Sequence, residues 1–330
     1  MELKTALVLG VTGGIGGEIA RALIGRGWLV RALHRDPSRV AQPVAGIRWI
    51  KGDAMDLGRV LAAARGTSLI VHGVNPPAYR GWARLVLPML DNSIAAAKVC
   101  GARIFFPGTV YNFGREAFPL IAEDAPQHPR SRKGLIRVEM ERRLRMASEA
   151  GVPVLIVRCG DWFGPVTTGN SWFRAALVRP GRPVRAIVYP GRRDVGHSWA
   201  YLPDVAEAVM QLIERQHQLE LFTTFHFGGH WFERGVEIAE EIRAAAGNLD
   251  LPIRRFPWWL IRAGSPFMET FREMLEVEYL WREPVRLDNR KLVQFLGIEP
   301  HTPVHDAVSA TLQGMQCLPS RADSRGSCAA

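Results

Sequence analysis

Three glycines near the start of the chain have the spacing of a phosphate-binding turn. Gly10, Gly13 and Gly16 form a GxxGxxG run between an apolar segment typical of a strand and an amphipathic segment typical of a helix. Such a turn lets the backbone approach a pyrophosphate, and the following helix offers unpaired N–H groups and its positive dipole end to the anion. In this context the run predicts a dinucleotide site. The predicted pyrophosphate-binding residues are Gly10, Thr12, Gly13, Gly14, Ile15 and Gly16.

The end of the second predicted strand, at His34 and Arg35, bears on which dinucleotide binds. An acidic residue there accepts hydrogen bonds from the adenosine ribose hydroxyls, whereas a basic residue favours a 2′-phosphate. Arg35 stands at the discriminating turn, and Arg39 can add a second contact, because guanidinium groups bind phosphate through paired hydrogen bonds. Asp36 favours the opposite choice, although an Asp-Pro pair more often begins a helix. We predict NADP(H) as the cofactor, with NAD(H) as the alternative.

The elements that would position these residues alternate between strand and helix. The predicted strands are 5–9, 28–33, 47–50, 68–74, 103–106, 154–157 and 224–227. The predicted helices between and after them are about 15–26, 57–65, 82–100, 135–150 and 203–215. This alternation predicts an α/β fold, a Rossmann-type doubly wound parallel sheet with helices on both faces.

After Gly160 the alternation gives way to loops rich in proline and aromatic residues, and then to a mainly helical region. Seven of the ten tryptophans lie from Trp162 onward, which fits a smaller, mainly helical C-terminal substrate lobe over the carboxyl ends of the strands. The predicted division is an NAD(P)-binding domain of residues 1–160 plus about 200–228, a substrate-binding lobe of about 161–199 plus 229–317, and a disordered tail at 318–330.

The composition argues against several classes of protein. The chain has 330 residues, 47% of them apolar and 22% charged, as in ordinary globular proteins. It has no apolar run long enough for a bilayer and no signal peptide, so we expect a cytoplasmic protein without a membrane partner. The four cysteines lack metal-binding spacing, so we expect no metal. The net charge of +10 favours an anionic cofactor, and its scattered distribution argues against nucleic acid as a partner.

Further motifs occur in an order that resembles the extended short-chain dehydrogenase/reductase family, also called the NAD dependent epimerase/dehydratase family. Gly52-Asp53 resembles the family's adenine-facing acidic motif, and Val71-His72-Gly73-Val74 resembles the end of its fourth strand beside the cofactor. The remaining matches are Arg158-Cys-Gly-Asp161-Trp-Phe-Gly-Pro165 to RxxNxYGP, Tyr201-Leu-Pro-Asp204-Val-Ala to YVDDVA, and Asp288-Asn-Arg-Lys291 with Leu296-Gly-Ile-Glu-Pro300 to the C-terminal motif. The resemblance implies that Asp53, Ala54, His72, Gly73 and Val74 also bind the cofactor.

The resemblance also implies a catalytic set of Ser or Thr, Tyr and Lys. In the family the tyrosine exchanges a proton with the substrate oxygen, the lysine lowers the tyrosine pKa and holds the nicotinamide ribose, and the hydroxyl residue orients the substrate. Aligning Phe113-Gly114 with the family's "YG" places Thr109 at the hydroxyl position.

The tyrosine of this set is missing from the chain. The corresponding helix reads Arg132-Lys133-Gly-Leu-Ile-Arg137, which places Lys133 at the tyrosine position and Arg137 at the lysine position. Arg137 can still hold the ribose hydroxyls as a fixed cation. Lys133 can donate a proton only if burial and neighbouring cations lower its pKa, and it can equally be a solvated lysine at a helix start. The family's asparagine in the long helix is replaced by Val86.

Two further residues are candidate proton donors. Tyr111 lies two residues after Thr109, so in an extended segment both side chains point the same way. His197 stands near the position where sugar-nucleotide members of the family usually have an arginine, and can equally be a loop histidine bonded to the backbone. The predicted substrate-binding residues are Asn75, Asp161, Trp162, Trp172, Arg192 and His197.

These observations predict an NADP(H)-dependent oxidoreductase that acts on a small carbonyl or hydroxyl substrate, with an atypical active site. Two alternatives remain open: a nucleotide-sugar epimerase or dehydratase, and a non-catalytic NADP(H)-binding sensor or partner protein. A homodimer is a further possibility, because this family commonly dimerises through its two long helices. Met140, Leu144 and Ala147 would supply its apolar seam, unless that seam packs on the sheet.

Overall fold

The computed structural model describes residues 4–40, 44–76, 81–166 and 171–318. The strands within these residues are β1 (Thr5–Leu9), β2 (Leu29–His34), β3 (Ile47–Lys51), β4 (Leu69–His72), β5 (Arg103–Thr109), β6 (Leu120–Ile121), β7 (Val154–Cys159), β8 (Asp161–Phe163), β9 (Ile187–Tyr189), β10 (His197–Tyr201), β11 (Phe222–His226), β12 (His230–Phe232), β13 (Ile253–Arg255) and β14 (Arg286–Leu287). The α-helices are α1 (Gly14–Gly25), α2 (Leu57–Ala64), α3 (Trp82–Cys100), α4 (Arg132–Glu149), α5 (Leu202–Glu214), α6 (Glu237–Ala245), α7 (Trp258–Gly264), α8 (Glu269–Leu275), α9 (Arg290–Leu296) and α10 (Val304–Gly314).

A seven-stranded parallel sheet forms the centre of the molecule. Its strand order is β3-β2-β1-β4-β5-β7-β11, and every neighbouring pair is parallel. The order reverses direction between β1 and β4, and a parallel sheet of this kind opens a crevice at that point, beyond the carboxyl ends of its strands. The predicted Rossmann-type fold is therefore confirmed, and the predicted nucleotide turn lies at this crevice.

Helices cover both faces of the sheet because each central strand is apolar on both sides. Ala6 and Val8 pack into the core shared with α1, α5 and α9, whereas Leu7 and Leu9 pack into the core shared with α2, α3 and α4. Successive side chains of a strand point to opposite faces, so continuous burial of β1 requires both helical layers.

The second part of the chain adds a smaller lobe with its own apolar core. Three small sheets contribute to it, with strand orders β12-β10-β8, β13-β9 and β14-β6, together with α6, α7, α8 and α10. Its core is built around aromatic side chains, among them Phe163, Phe173, Trp199 and Trp281. The boundaries of the proposed domains stay a prediction, and all of the tail at 318–330 except Leu318 lies outside the described residues.

Two boundaries differ from the sequence-based prediction in ways that affect the crevice. Strand β5 continues through Pro107 to Thr109 and pairs with β7, beyond the point where β4 stops pairing with it. Helix α4 begins at Arg132, because Ser131 Oγ caps it by accepting a hydrogen bond from the Gly134 N–H at 3.0 Å. Both changes extend an ordered element further toward the candidate site.

The apolar seam that was a candidate dimer surface is internal. Met140, Leu144 and Ala147 are 2%, 0% and 8% exposed, and they pack with β5, β7 and α3 in the core under one face of the sheet. The seam on α4 is therefore not available to a second copy of the chain. The physical reason is that α4 itself covers the sheet face between β5 and β7.

Candidate functional site

One cavity runs along the carboxyl edge of the sheet and joins most of the predicted site residues. Its volume is about 690 Å³. It extends from the turn after β1, past the ends of β2, β4 and β5, to β8 and β10 of the smaller lobe. The predicted residues that line it are Gly10, Thr12, Gly13, Gly14, Ile15, His34, Arg35, Asp53, Ala54, His72, Gly73, Val74, Asn75, Thr109, Tyr111, Arg137, Asp161, Trp162 and His197.

The glycine turn forms one end of the cavity, and its contacts leave no room for side chains. Gly10 has a φ of +85°, and a Cβ there would lie 2.4 Å from the Gly73 carbonyl oxygen. A Cβ at Gly16 would lie 2.3 Å from the Gly10 carbonyl oxygen, so Gly16 packs beneath the turn while its neighbours form the wall. The turn leads into the N-terminus of α1, which has no side-chain cap, and such a helix end fits a pyrophosphate.

A smaller pocket of about 390 Å³ lies at the end of β2 and shares Arg35, Gly52 and Asp53 with the wall of the main cavity. Its cationic side chains are Arg35, Lys51 and Arg59, and its carboxylates are Asp53 and Asp56. Asp53 Oδ1 accepts the Met55 N–H at 3.0 Å, and Asp56 Oδ1 accepts the Arg59 N–H at 3.1 Å as the N-cap of α2. The carboxylates thus have backbone partners, and three cations border the same space.

Two residues predicted near this pocket have other surroundings. Asp36 accepts a hydrogen bond from Ser38 Oγ at 2.6 Å and pairs with Arg39 at 3.4 Å, at the start of the 3₁₀ turn Pro37–Arg39. The Arg39 side chain is 85% exposed and belongs to neither pocket wall. Asp36 therefore begins the next turn, as its Asp-Pro sequence indicated, and the structure does not bring Arg39 to the site.

The histidine at the end of β4 is neutral and fully packed. Burial, with a smaller contribution from Arg137, lowers the pKa of His72 from 6.5 to about 3. Ser93 Oγ donates to the Met89 carbonyl oxygen at 3.1 Å, so it accepts a hydrogen bond from His72 Nδ1 at 2.8 Å. His72 thereby ties β4 to α3 beside the cavity, next to Gly73 and Val74.

The middle of the cavity brings together Thr109, Tyr111 and Arg137. Thr109 ends β5, and its Oγ1 accepts the Tyr111 N–H at 3.4 Å, at the start of a 3₁₀ turn over residues 110–112. Arg137 donates to the Pro107 carbonyl oxygen at 3.2 Å, and its guanidinium carbon lies 5.6 Å from the Trp82 ring and 5.4 Å from the Phe106 ring. A fixed cation, a hydroxyl group and a phenol therefore border the same space.

The lysine at the family's tyrosine position is turned away from this space. Lys133 Nζ donates to the Glu273 carbonyl oxygen at 2.6 Å and pairs with the Glu273 carboxylate at 3.1 Å, while the Lys133 N–H donates to Glu276 at 3.1 Å. Its side chain is 3% exposed and does not belong to the cavity wall. Burial lowers the pKa of Lys133, and Glu273 opposes that effect. The candidate role of Lys133 as proton donor is not supported, because its amine connects α4 to α8.

The far end of the cavity contains a histidine–carboxylate pair. His197 Nε2 and Asp161 Oδ2 lie 2.8 Å apart, with side-chain exposures of 8% and 20%. The His197 ring stacks on the Trp281 ring, with centroids 4.1 Å apart and an interplanar angle of 10°. Trp162 lies beside Asp161 on the same wall. Strands β8 and β10 pair in parallel, which places Asp161 and His197 on neighbouring strands.

Two predicted substrate residues lie outside this wall. Trp172 packs inside the lobe against Phe256, Trp258 and Trp281, with ring centroids 5.4 to 5.7 Å away. Arg192 is exposed and donates to Asp194 at 2.6 Å. Trp172 is therefore a core residue, and Arg192 has a local surface partner.

Sequence reasoning missed three residues of the site. Lys51 and Arg59 flank the Gly52-Asp53 motif, and this basic flank was a readable signal for phosphate. Trp281 has no such signal, because its contact with His197 arises only when the turn over residues 278–281 packs against β10.

Across the described residues no cluster of three or more His, Cys, Asp or Glu side chains has the arrangement of a metal site. In the same part of the chain, none of the helices has the length and apolar character needed to cross a bilayer.

Comparison with known proteins shows which family the sequence matches and which solved structures share its fold. Residues 6–225 match the family model of the NAD dependent epimerase/dehydratase family. A Streptomyces protein described as a 3-diazoavenalumate denitrifying reductase is 31% identical over 179 residues, which is 49% of this chain and 57% of that protein. The match thus spans less than two thirds of the relative's length.

Solved structures with a similar fold include sugar-nucleotide epimerases. A UDP-galactose 4-epimerase superposes with a TM-score of 0.73 at 18% identity, covering 94% of this chain and 98% of the other. The Thermus thermophilus UDP-glucose 4-epimerase, solved in complex with NAD, has a TM-score of 0.72 at 19% identity and covers 94% and 99%. At these identities the likeness shows a shared fold.

Proposed function

Because the chain belongs to the NAD dependent epimerase/dehydratase family, we propose that it is an NADP(H)-dependent reductase of a small carbonyl compound with an aromatic group. One observation carries the proposal: a single cavity joins the glycine turn to Thr109, Arg137 and the His197–Asp161 pair. Its aromatic wall, which includes Trp82, Tyr111 and Trp162, suits an aromatic substrate.

The side chains along the cavity have different roles in this proposal. A bound nicotinamide cofactor supplies the hydride chemistry. Arg137 holds the ribose hydroxyls with a guanidinium that Pro107 and two aromatic rings keep in place. Thr109 orients the substrate oxygen with its hydroxyl group. The cleft between the sheet and the lobe keeps the reacting groups close together and partly excludes water.

The preference for NADP(H) rests on the pocket at the end of β2. Arg35, Lys51 and Arg59 border the space at the end of β2, and a 2′-phosphate would bring about two negative charges to them. Asp36, the residue that would favour NAD(H), is engaged with Ser38 and Arg39. The Thermus thermophilus epimerase of similar fold was solved with NAD, so this preference would set the chain apart from it.

A second candidate function is favoured by the orientation of Lys133. Carbonyl reduction needs a proton for the substrate oxygen, and the residue at the family's donor position is engaged with Glu273 instead. An aryl diazonium group needs no such donor: its terminal nitrogen accepts a hydride, and the resulting diazene loses N₂ to leave an arene C–H bond while NADPH is oxidised. The relative described as a denitrifying reductase has a diazo compound in its name.

The test is NADPH oxidation, followed by its absorbance, with the purified full chain and two sets of probes. Aromatic aldehydes such as cinnamaldehyde and 4-nitrobenzaldehyde represent the carbonyl class, and benzenediazonium represents the diazo class. The first proposal expects alcohol formed in equal amount to NADPH consumed, and the second expects benzene and N₂. Failure of both classes to consume NADPH, although the cofactor binds, would contradict both proposals.

The same assay distinguishes a reductase from an epimerase by whether NADPH is consumed. An epimerase returns its cofactor to the starting state at each turnover, so UDP-glucose would be converted without net oxidation of NADPH. Product formation from a nucleotide sugar with unchanged cofactor absorbance would replace the reductase proposal.

A further inference from the structure

We propose that the Asp161–His197 pair, held against Trp281, is the acid–base unit of the cavity and supplies the proton that the missing tyrosine would donate. This role rests on the proposed carbonyl reduction and assigns one step of it to named atoms. This proton donor differs from the family's tyrosine. Both members of the pair lie on the β8 and β10 strands of the smaller lobe.

The hydrogen bond fixes which nitrogen can act. His197 Nε2 lies 2.8 Å from Asp161 Oδ2, so Nε2 keeps its hydrogen and donates it to the carboxylate. Nδ1 then carries the exchangeable proton, and it makes no hydrogen bond to any residue that the structure describes. Because His197 lines the cavity, Nδ1 is the nitrogen left for a substrate oxygen.

Two contacts hold the His197 ring in place. The Asp161 carboxylate is its hydrogen-bond partner, and the Trp281 indole lies 4.1 Å away in a nearly parallel stack. The hydrogen bond and the stack together fix the orientation of the imidazole. The pair thus resembles the base–orienter arrangement of other proton-transfer sites, in which a carboxylate fixes the tautomer of a histidine.

The neighbouring elements contribute few competing charges. The titratable and charged groups on β10 and the elements packed around His197 are Asp161 on β8, Tyr189 on β9, Tyr201 on β10, His230 on β12, Glu278 and Tyr279 in the turn over residues 278–281, and Arg286 on β14. Burial raises the pKa of Tyr201 and that of Tyr279 to about 12. Glu278 is paired with Arg262 at 2.5 Å, and burial raises the pKa of Tyr189 and lowers that of His230 to about 4. Asp161 is therefore the carboxyl group that contacts the ring.

The step balances with the cofactor as reductant. The carbonyl carbon gains a hydride from the nicotinamide, the C=O π bond breaks, and the oxygen takes the proton from His197 Nδ1. His197 becomes neutral while its Nε2–H stays bonded to Asp161, and a proton from solvent restores the imidazolium. The cofactor is oxidised by two electrons, and the substrate becomes an alcohol.

The kinetic test compares H197Q and D161N with the surface variant H305Q. His305 is also near a carboxylate, Glu241 at 3.7 Å, but it lies outside the cavity, so H305Q controls for removing a histidine. With cinnamaldehyde as probe, H197Q lowers kcat by about 100-fold or more, as expected for loss of a general acid. H197Q also removes the alkaline limb of the pH–rate profile. D161N moves that limb to lower pH, because the His197 ring no longer has a carboxylate beside it.

Unchanged NADPH binding and unfolding temperature in H197Q show that the fold and cofactor site are intact. Under those conditions, an H197Q enzyme that keeps its kcat and its alkaline limb overturns the inference and leaves the reductase proposal standing. Loss of that limb in Y111F instead assigns the proton to Tyr111 and also overturns it.

A substrate-free measurement separates this inference from the proposed function. ¹⁵N spectra of histidine-labelled protein, assigned with H197Q, report the protonation of each ring nitrogen. We expect a proton on Nε2 throughout and uptake of a second proton on Nδ1 in the pH range of the folded protein. A His197 ring that stays neutral until the protein unfolds overturns the inference, whatever substrates are turned over.

Discussion

At the scale of single residues, the two positions that the motifs align with the family's tyrosine and lysine have different surroundings. Arg137 borders the cavity, whereas Lys133 lies outside its wall. A buried ammonium needs a partner, and Glu273 supplies one from α8 while the adjacent Glu276 accepts the Lys133 N–H. Lys133 thus connects α4 to α8.

The first prediction concerns cofactor choice. In R35A, NADPH affinity should fall by about 10- to 100-fold, because one charge-assisted phosphate contact is lost, while NADH affinity changes little. Titration of the intrinsic fluorescence with each cofactor measures both values. Arg48 lies on the same β3 strand as Lys51 but outside the pocket, so R48A is the matched control. Equal loss of NADPH and NADH affinity in R35A would exclude a 2′-phosphate contact.

The second prediction concerns Lys133 itself. K133M should keep kcat within about 3-fold and stay folded, since a methionine fills the buried space and Glu273, 15% exposed, keeps access to solvent. E273A should cost about 3–5 kcal/mol of unfolding free energy, because it leaves the Lys133 charge buried without its carboxylate. Urea unfolding measures the stability of both variants, and steady-state kinetics measures the kcat of K133M. A K133M enzyme that loses more than about 100-fold in kcat would restore Lys133 as a proton donor.

At the scale of elements, the sequence was most informative where one segment determines its own structure. The glycine turn and the seven sheet strands follow from local patterns, so the Rossmann-type sheet and the wall around Gly10 were predictable. The His197–Trp281 stack was not, because it joins β10 to a turn more than eighty residues later in the chain. Arg192 and Trp172 were predicted to bind substrate but lie outside the cavity wall. Their short distance in sequence from His197 and Trp162 did not place them beside those residues in the lobe.

The third prediction tests the packing of the first turn. G16A should abolish tight NADPH binding and destabilise the fold, since the added Cβ meets the Gly10 carbonyl oxygen at 2.3 Å and backbone cannot move aside cheaply. Gly25 lies in the same helix, and a Cβ there meets nothing within 4 Å. G25A should therefore leave binding intact and stabilise the helix by about 0.5–1 kcal/mol. Thermal unfolding of G16A and G25A, each with and without NADPH, measures both effects. Equal unfolding temperatures of the two variants under both conditions would argue against the close packing of α1 beneath the turn.

At the scale of the whole molecule, buried polar groups tie the sheet to the lobe. Arg158 on β7 donates to Glu141 on α4 at 2.6 and 3.0 Å, and it donates to His226 Nε2 on β11 at 2.9 Å. His226 Nδ1 donates to the Ile121 carbonyl oxygen on β6 at 3.1 Å. The network reaches from the edge of the central sheet to the β14-β6 sheet of the lobe, so it connects these two sheets.

The fourth prediction follows from three buried neutral histidines. Burial lowers the pKa of His72 and His226 from 6.5 to about 3 and that of His230 to about 4. The unfolded chain binds these protons at higher pH than the folded chain, so stability falls as pH drops below about 6.5, by up to about 1.4 kcal/mol per pH unit for each histidine. Glu299, whose pKa burial raises, acts in the opposite direction and reduces the slope. Urea unfolding from about pH 7 to about pH 5 measures this pH dependence of the unfolding free energy. A constant unfolding free energy over that interval would contradict the conclusion that the three histidines are neutral in the folded protein.

The central claim, that this cavity reduces a substrate with NADP(H), is tested most directly by following the transferred hydrogen. NADPH deuterated at C4, in each of the two stereochemical forms, is incubated with the full chain and the aromatic aldehyde probes, and the products are analysed by mass spectrometry. We expect one of the two forms to deliver its deuterium to the alcohol carbon, in equal amount to the NADP⁺ produced. Bound NADPH that transfers no deuterium to any probe would contradict the claim.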